Sequence, residues 1–144
     1  MEQLNLTQYS DINELHLSFE NIFAQIDYGH IPNIIFHNCS SEDFDISCHN
    51  GIWIIKENHK IDIFPMHFHS KAKLDIVIPR SANIENARIQ LYNGCVYGSE
   101  LNAQNVQLSV HSGSVQIEKL SALNAVIACE SGNIQLKGTV EQKA

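Results

Sequence analysis

The sequence predicts an all-β chain: a single-stranded β-helix or solenoid with 19-residue coils in its C-terminal half, capped by N-terminal hairpin-like or irregular β coils. Three observations predict it. Gly94, Gly113 and Gly132 stand 19 residues apart. Aligning residues 82–100, 101–119 and 120–138 brings apolar positions into shared columns: Ala87, Val106 and Ala125; Ile89, Leu108 and Ile127; Leu91, Val110 and Cys129; Val96, Val115 and Ile134. A period near 20 with apolar positions two apart is the signature of stacked coils, each burying its inner face against the next. Finally, no segment combines a 3.6-residue period with helix caps, whereas short alternating runs recur throughout.

Within each repeat the glycine column calls for a residue that tolerates positive φ or lets backbones pass closely at a corner. Its predecessors, Asn93, Ser112 and Ser131, are turn formers. Asn86, Asn105 and Asn124 form a second column at a bend. Stacked asparagines can pass amide hydrogen bonds from coil to coil, and asparagine accepts left-handed angles. These positions, with Pro79, read as structural. Cys129 shares its column with Leu91 and Val110 and reads as a small core residue.

Residues 1–80 lack the period but read as short strands that cap the regular coils of 81–140, the whole making one β-solenoid domain over 1–144. Leu15, Leu17 and Phe19 alternate with polar neighbours, as do Phe44, Ile46 and Cys48. Runs at 52–55, 61–64 and 74–78 are strand-like, and Pro32, Pro65 and Pro79 sit at run edges. Asn50-Gly51 supplies the positive φ angles of a type I′ hairpin turn, and Tyr28-Gly29 marks another turn. Trp53, within an apolar run, reads as core.

Composition narrows the function. Sixteen acidic residues against nine basic give a net charge of −7, and the basic residues are scattered. Nucleic acid is therefore not an expected partner, since phosphate neutralisation needs clustered Lys and Arg. Four cysteines without CxxC spacing suggest reduced thiols. The sequence carries no signal-peptide pattern and no apolar run long enough to span a bilayer, so the expectation is a cytoplasmic protein without membrane insertion, or an envelope-associated one if the chain is a fragment.

The run Leu74-Asp75-Ile76-Val77-Ile78-Pro79, followed by Tyr92-Asn93-Gly94-Cys95-Val96, His111-Ser112-Gly113-Ser114-Val115 and Glu130-Ser131-Gly132-Asn133-Ile134, resembles the bacterial LiaG-like "putative adhesin" family, a domain of unknown function. That family carries a V-x-I/V-P strand and then tandem S/N-G-x-I/V coils. The resemblance covers residues 10–140 and implies a single-chain β-helix. It maps onto Pro79, Gly94, Gly113 and Gly132, brings no catalytic residues, and implies a link to envelope stress or membrane proteins.

No enzyme motif appears. Glu85, Glu100, Glu118 and Glu130 fall in different columns and make no carboxylate pair. His67 and His69 are the metal-ligand candidates, because residues two apart share a strand face and both imidazoles can reach one ion. His59 or the Cys48-His49 pair would add a third ligand. No cofactor is expected. The leading reading is a non-catalytic scaffold that binds a protein or glycan partner. The alternatives are a self-assembling solenoid comparable to bactofilins, hence a homo-oligomer, and a metal-binding β domain.

Overall fold

The computed structural model describes residues 2–58 and 72–140, with side chains to residue 138. Its strands are β1 (Glu2–Asn5), β2 (Glu14–Phe19), β3 (Phe23–Gly29), β4 (Asn33–His37), β5 (Phe44–His49), β6 (Ile52–Glu57) and β7 (Lys73–Pro79). They continue as β8 (Asn86–Leu91), β9 (Cys95–Gly98), β10 (Leu101–Asn102), β11 (Asn105–Val110), β12 (Ser114–Ala122), β13 (Asn124–Cys129) and β14 (Asn133–Val140). Among the described residues there is no α-helix, only single 3₁₀ turns at Thr7–Tyr9 and Ser41–Asp43.

The strands form two sheets facing each other across one apolar core, with no closed barrel. One sheet runs β13-β11-β8-β2-β6-β5; the other runs β1-β4-β7-β3-β9-β12-β10, with β14 also on β12. Matching the two gives layers: β13 with β14, β11 with β12, β8 with β9 and β10, β2 with β3, β6 with β7. Within this stack every pairing between layers is parallel. Asn105 lies between Asn86 and Asn124, and Leu108 between Ile89 and Ile127. The buried residues Leu15, Leu17, Ile26, Trp53, Ile55, Ile76, Ile89, Val96, Leu108 and Ile117 are the inward positions of these strands. Their alternation with polar neighbours is what places them inside.

Stacking order differs from chain order. The layer made by residues 14–29 sits between the β6/β7 layer and the β8/β9 layer. Residues 80–85 therefore step past it, held by Arg80 N–H to Gly29 O (3.1 Å) and Glu85 N–H to Asn13 O (2.7 Å). Beyond β6 and β7 the chain turns antiparallel: β5 covers β6, β4 covers β7, and β1 covers β4. These antiparallel strands close that end of the core.

Several expectations change. Tyr28 and Gly29 belong to β3, not to a turn; Gly29 pairs with Pro79, which ends β7 rather than lying outside it. Asn50 (φ 52°) and Gly51 (φ 79°) do occupy the left-handed region between β5 and β6. The column asparagines do not: among the described residues the positive-φ residues other than glycine are Asn38 and Asn50. Gly94, Gly113 and Gly132 also lack positive φ; backbone approach is what demands glycine there. A Cβ on Gly94 would lie 2.2 Å from Ile22 O, one on Gly113 2.3 Å from Gly94 O, and one on Gly132 2.2 Å from Gly113 O. Those carbonyls point upward to accept the next layer's N–H groups, from Cys95 (3.0 Å), Ser114 (3.1 Å) and Asn133 (3.0 Å). Cys129 is exposed, unlike Leu91 and Val110 in its column, because no described layer stacks on β13. Trp53 is fully buried, its indole N–H donating to Tyr9 O at 3.0 Å.

Candidate binding groove

Each strand of the β13-β11-β8-β2 series ends at a corner, and the corners are tied by backbone hydrogen bonds. Tyr92 N–H donates to Phe19 O (2.9 Å), His111 N–H to Leu91 O (2.9 Å) and Glu130 N–H to Val110 O (3.0 Å). This ladder holds the residue after each strand in a single column: Glu20, Tyr92, His111, Glu130. The Tyr92 and His111 rings lie parallel, with centroids 4.6 Å apart and planes 4° apart. His111 Nδ1 pairs with the Glu130 carboxylate. Together with Phe19 and Gln90 they line an open groove of about 350 Å³. Tyr92 is 53% exposed although large and aromatic. A flat ring pair beside a carboxylate can stack on a planar or sugar-like face and accept hydrogen bonds from hydroxyl or ammonium groups.

The Asn column lies at the opposite end of the same strands. Asn124 Nδ2 donates to Asn105 Oδ1 (3.0 Å), Asn105 Nδ2 to Asn86 Oδ1 (3.2 Å), and Asn86 Nδ2 to Glu14 Oε1 (3.1 Å). Every rung thus points its donor the same way, and a carboxylate, which only accepts, terminates the run. Glu14 escaped the sequence reading because its layer lies 72 residues from Asn86, off the 19-residue spacing. The signal was the gapless match of Leu15, Leu17 and Phe19 to Ala87, Ile89 and Leu91. The groove itself escaped because Tyr92, His111 and Glu130 share no residue type.

His67 and His69, with His59, the run 61–64 and Pro65, lie outside the described residues. His49 ends β5 beside the Asn50-Gly51 turn. No group of three or more His, Cys, Asp or Glu among the described residues is arranged to hold a metal ion. His37 Nε2 lies 2.7 Å from Asp75 Oδ2, and Lys73 Nζ lies 3.5 Å from Asp75 Oδ1. Close by, Cys39 donates its thiol to Lys73 O at 3.6 Å, and burial pushes its pKa up. Burial likewise pushes Cys48 up to about 11. Neither thiol has the electropositive setting that makes a thiolate nucleophile. No helix among the described residues is long and apolar enough to cross a membrane.

Residues 39–144 match the model of the family described as Toastrack DUF4097. The chain belongs to that family. The Toastrack match begins after β4, so the 14–29 layer, which lies inside the stack, falls outside the matched residues. No curated protein matches the chain. Among solved structures, a protein of Clostridium sporogenes ATCC 15579 described as a "putative cell adhesion protein" is similar to this Toastrack chain. The likeness covers 96% of this chain and 98% of that one, at 6% identity and a TM-score of 0.49.

Proposed function

We propose that the chain is a non-catalytic adhesin-like scaffold, a single-stranded β-helix of 19-residue coils that binds a glycan on its corner groove. The observation that carries this reading is the Tyr92–His111 ring pair, held parallel and exposed beside the Glu130 carboxylate in a groove that Glu20 also lines. The backbone ladder fixes the platform in advance, so binding orders few groups and loses little affinity to side-chain entropy. The absence of a catalytic role is part of the proposal: burial raises the pKa values of the half-buried Cys39 and Cys48, which makes both thiols poor nucleophiles. The LiaG-like resemblance adds a setting, partner binding linked to bacterial envelope stress. The test is a glycan array followed by titration of the best hit. Tyr92→Ala and Glu130→Gln are expected to weaken binding without lowering the melting temperature, because both side chains are exposed. Binding unaffected by either variant would move the site elsewhere. A chain that retains no glycan but captures a protein through the same residues would replace the glycan by a peptide ligand.

A second reading, self-association, is favoured by the open layer of β13 and β14.

A further inference from the structure

The last layer departs from its own repeat. In β8 the outward residues are Arg88 and Gln90, and in β11 they are Gln107 and Ser109; in β13 the same positions hold Val126 and Ala128. The inward column is uncovered as well. Ile127 is 47% exposed, where its neighbours Leu108 and Ile89 are 1% and 0% exposed, and Val126 is 54% exposed. Thus β13 is apolar on both faces. Among the described residues β13 pairs only with β11 and β14 only with β12, so each offers a free row of backbone donors and acceptors. Free strand edges are normally blunted by charge, proline or a bulge, and terminal repeats by a polar outer face. Here residues 120–129 and 131–136 contain no charged side chain, in a chain of net charge −7.

The other end of the stack does not complement this one. It is closed by antiparallel β5 and β1, which carry Asp45 and Glu2, and the Glu2 carboxylate is already engaged by Ser41 N–H and Oγ. Head-to-tail addition would set β13, which carries no charged side chain, against a capped, charged edge. The surface that matches the β13/β14 end is that same end on a second copy. A two-fold axis perpendicular to the stack brings the two last layers together with their facing strands antiparallel, a hydrogen-bonding pattern any pair of edges can form. Elsewhere two copies of a chain this acidic repel; the uncharged β13 strand is where they can approach.

From these observations we infer that two copies join end to end through β13 and β14 into a closed dimer, and that this contact does not propagate into a filament. The inference is independent of the groove. It buries Ile127 and Cys129 of both copies and extends one apolar core through the pair. It also sets the two grooves in a fixed two-fold relation, so a repeating ligand would meet both.

The test is light scattering coupled to size exclusion, across the micromolar range, on the full chain and on Ile127→Lys. Cys129→Lys serves as a second variant that places a charge on the exposed inner column of the same strand. The expected result is a species of twice the 16.2 kDa chain mass, and a monomer for Ile127→Lys with an unchanged far-ultraviolet circular dichroism spectrum. Should Ile127→Lys unfold, Cys129→Lys must show the weakened dimer instead. Maleimide labelling of Cys129 is an independent readout, expected to slow as wild-type concentration rises. A concentration-independent wild-type monomer overturns the inference. So does a dimer that survives both variants with Cys129 still reactive, or a mass that grows without limit.

Discussion

Replacing Gly113 by alanine tests why the glycine column exists. The added Cβ would stand 2.3 Å from Gly94 O and 2.9 Å from Leu91 Cδ2. To bring the first contact even to 3.0 Å, the carbonyl must withdraw by at least 0.7 Å (3.0 − 2.3). That carbonyl accepts the Ser114 N–H at 3.1 Å, so the same withdrawal stretches this bond to near 3.8 Å and breaks it. Losing the bond costs about 0.5–1.5 kcal/mol, and overpacking the corner adds about 1–3 kcal/mol. A total of about 2–4 kcal/mol follows. With an unfolding entropy of about 2.1 cal/mol/K per residue over a chain of this length, the melting temperature should fall by about 7–13 °C. Thermal unfolding followed by circular dichroism reads it. Gly113→Asn separates the two causes, because asparagine relieves a positive-φ requirement but not a collision. Asparagine at 113 is expected to be at least as damaging as alanine, whereas at Gly51, with φ +79°, it should be the milder change. A melting temperature unchanged in Gly113→Ala, or restored by asparagine, would refute the close-approach argument.

Three further outcomes are expected. Asn105→Ala removes the middle rung, leaving Asn124 Nδ2 and Asn86 Oδ1 without their partners; about 1–2 kcal/mol should be lost in denaturant titration, and full stability would show the ladder to be decorative. Cys39 and Cys48, whose pKa values burial raises, should react slowly with iodoacetamide near neutral pH; Cys48 should accelerate only as pH climbs towards about 11, and rapid labelling at either of these two positions in the folded chain would contradict their half-buried setting. The hydrogen bonds from Ser41 hold the Glu2 carboxyl below its ordinary value of 4.5. A depressed folded-state value stabilises the attachment of β1 above the ordinary value and loses it as pH falls through the folded one. The protection of β1 amides relative to their intrinsic exchange rate should therefore fall under acid in the parent, and Glu2→Gln should remove that acid dependence.

Much of the fold was legible because its determinants are local and repeated. Gly94, Gly113 and Gly132 announce themselves by spacing, and the inward apolar columns follow from alternation alone. Asn50-Gly51 needs only its own φ preference. What escaped was non-local. Nothing near Leu15 states that its strand will lie between β6 and β8, since that placement depends on which edges are still unpaired when the layers assemble. Gly94, for the same reason, could be read as a corner residue but not as one pressed against Ile22 O, since Ile22 replaces the repeat's glycine in the inserted layer.

The candidate site divides the same way. Tyr92, His111 and Glu130 hold one position of the repeat, yet their chemistry becomes a groove only when backbone ladders bring successive corners within ring-stacking distance. Cys129 shows the converse. Its column predicts burial, and its exposure arises because a strand's inner face is buried by the layer above it, which β13 lacks. Which residues point inward can be read from the amino-acid order, because side-chain alternation is a property of the single strand. Which layer meets which, and where the stack stays open, emerges in the folded chain, because strand pairing joins backbones far apart in the sequence.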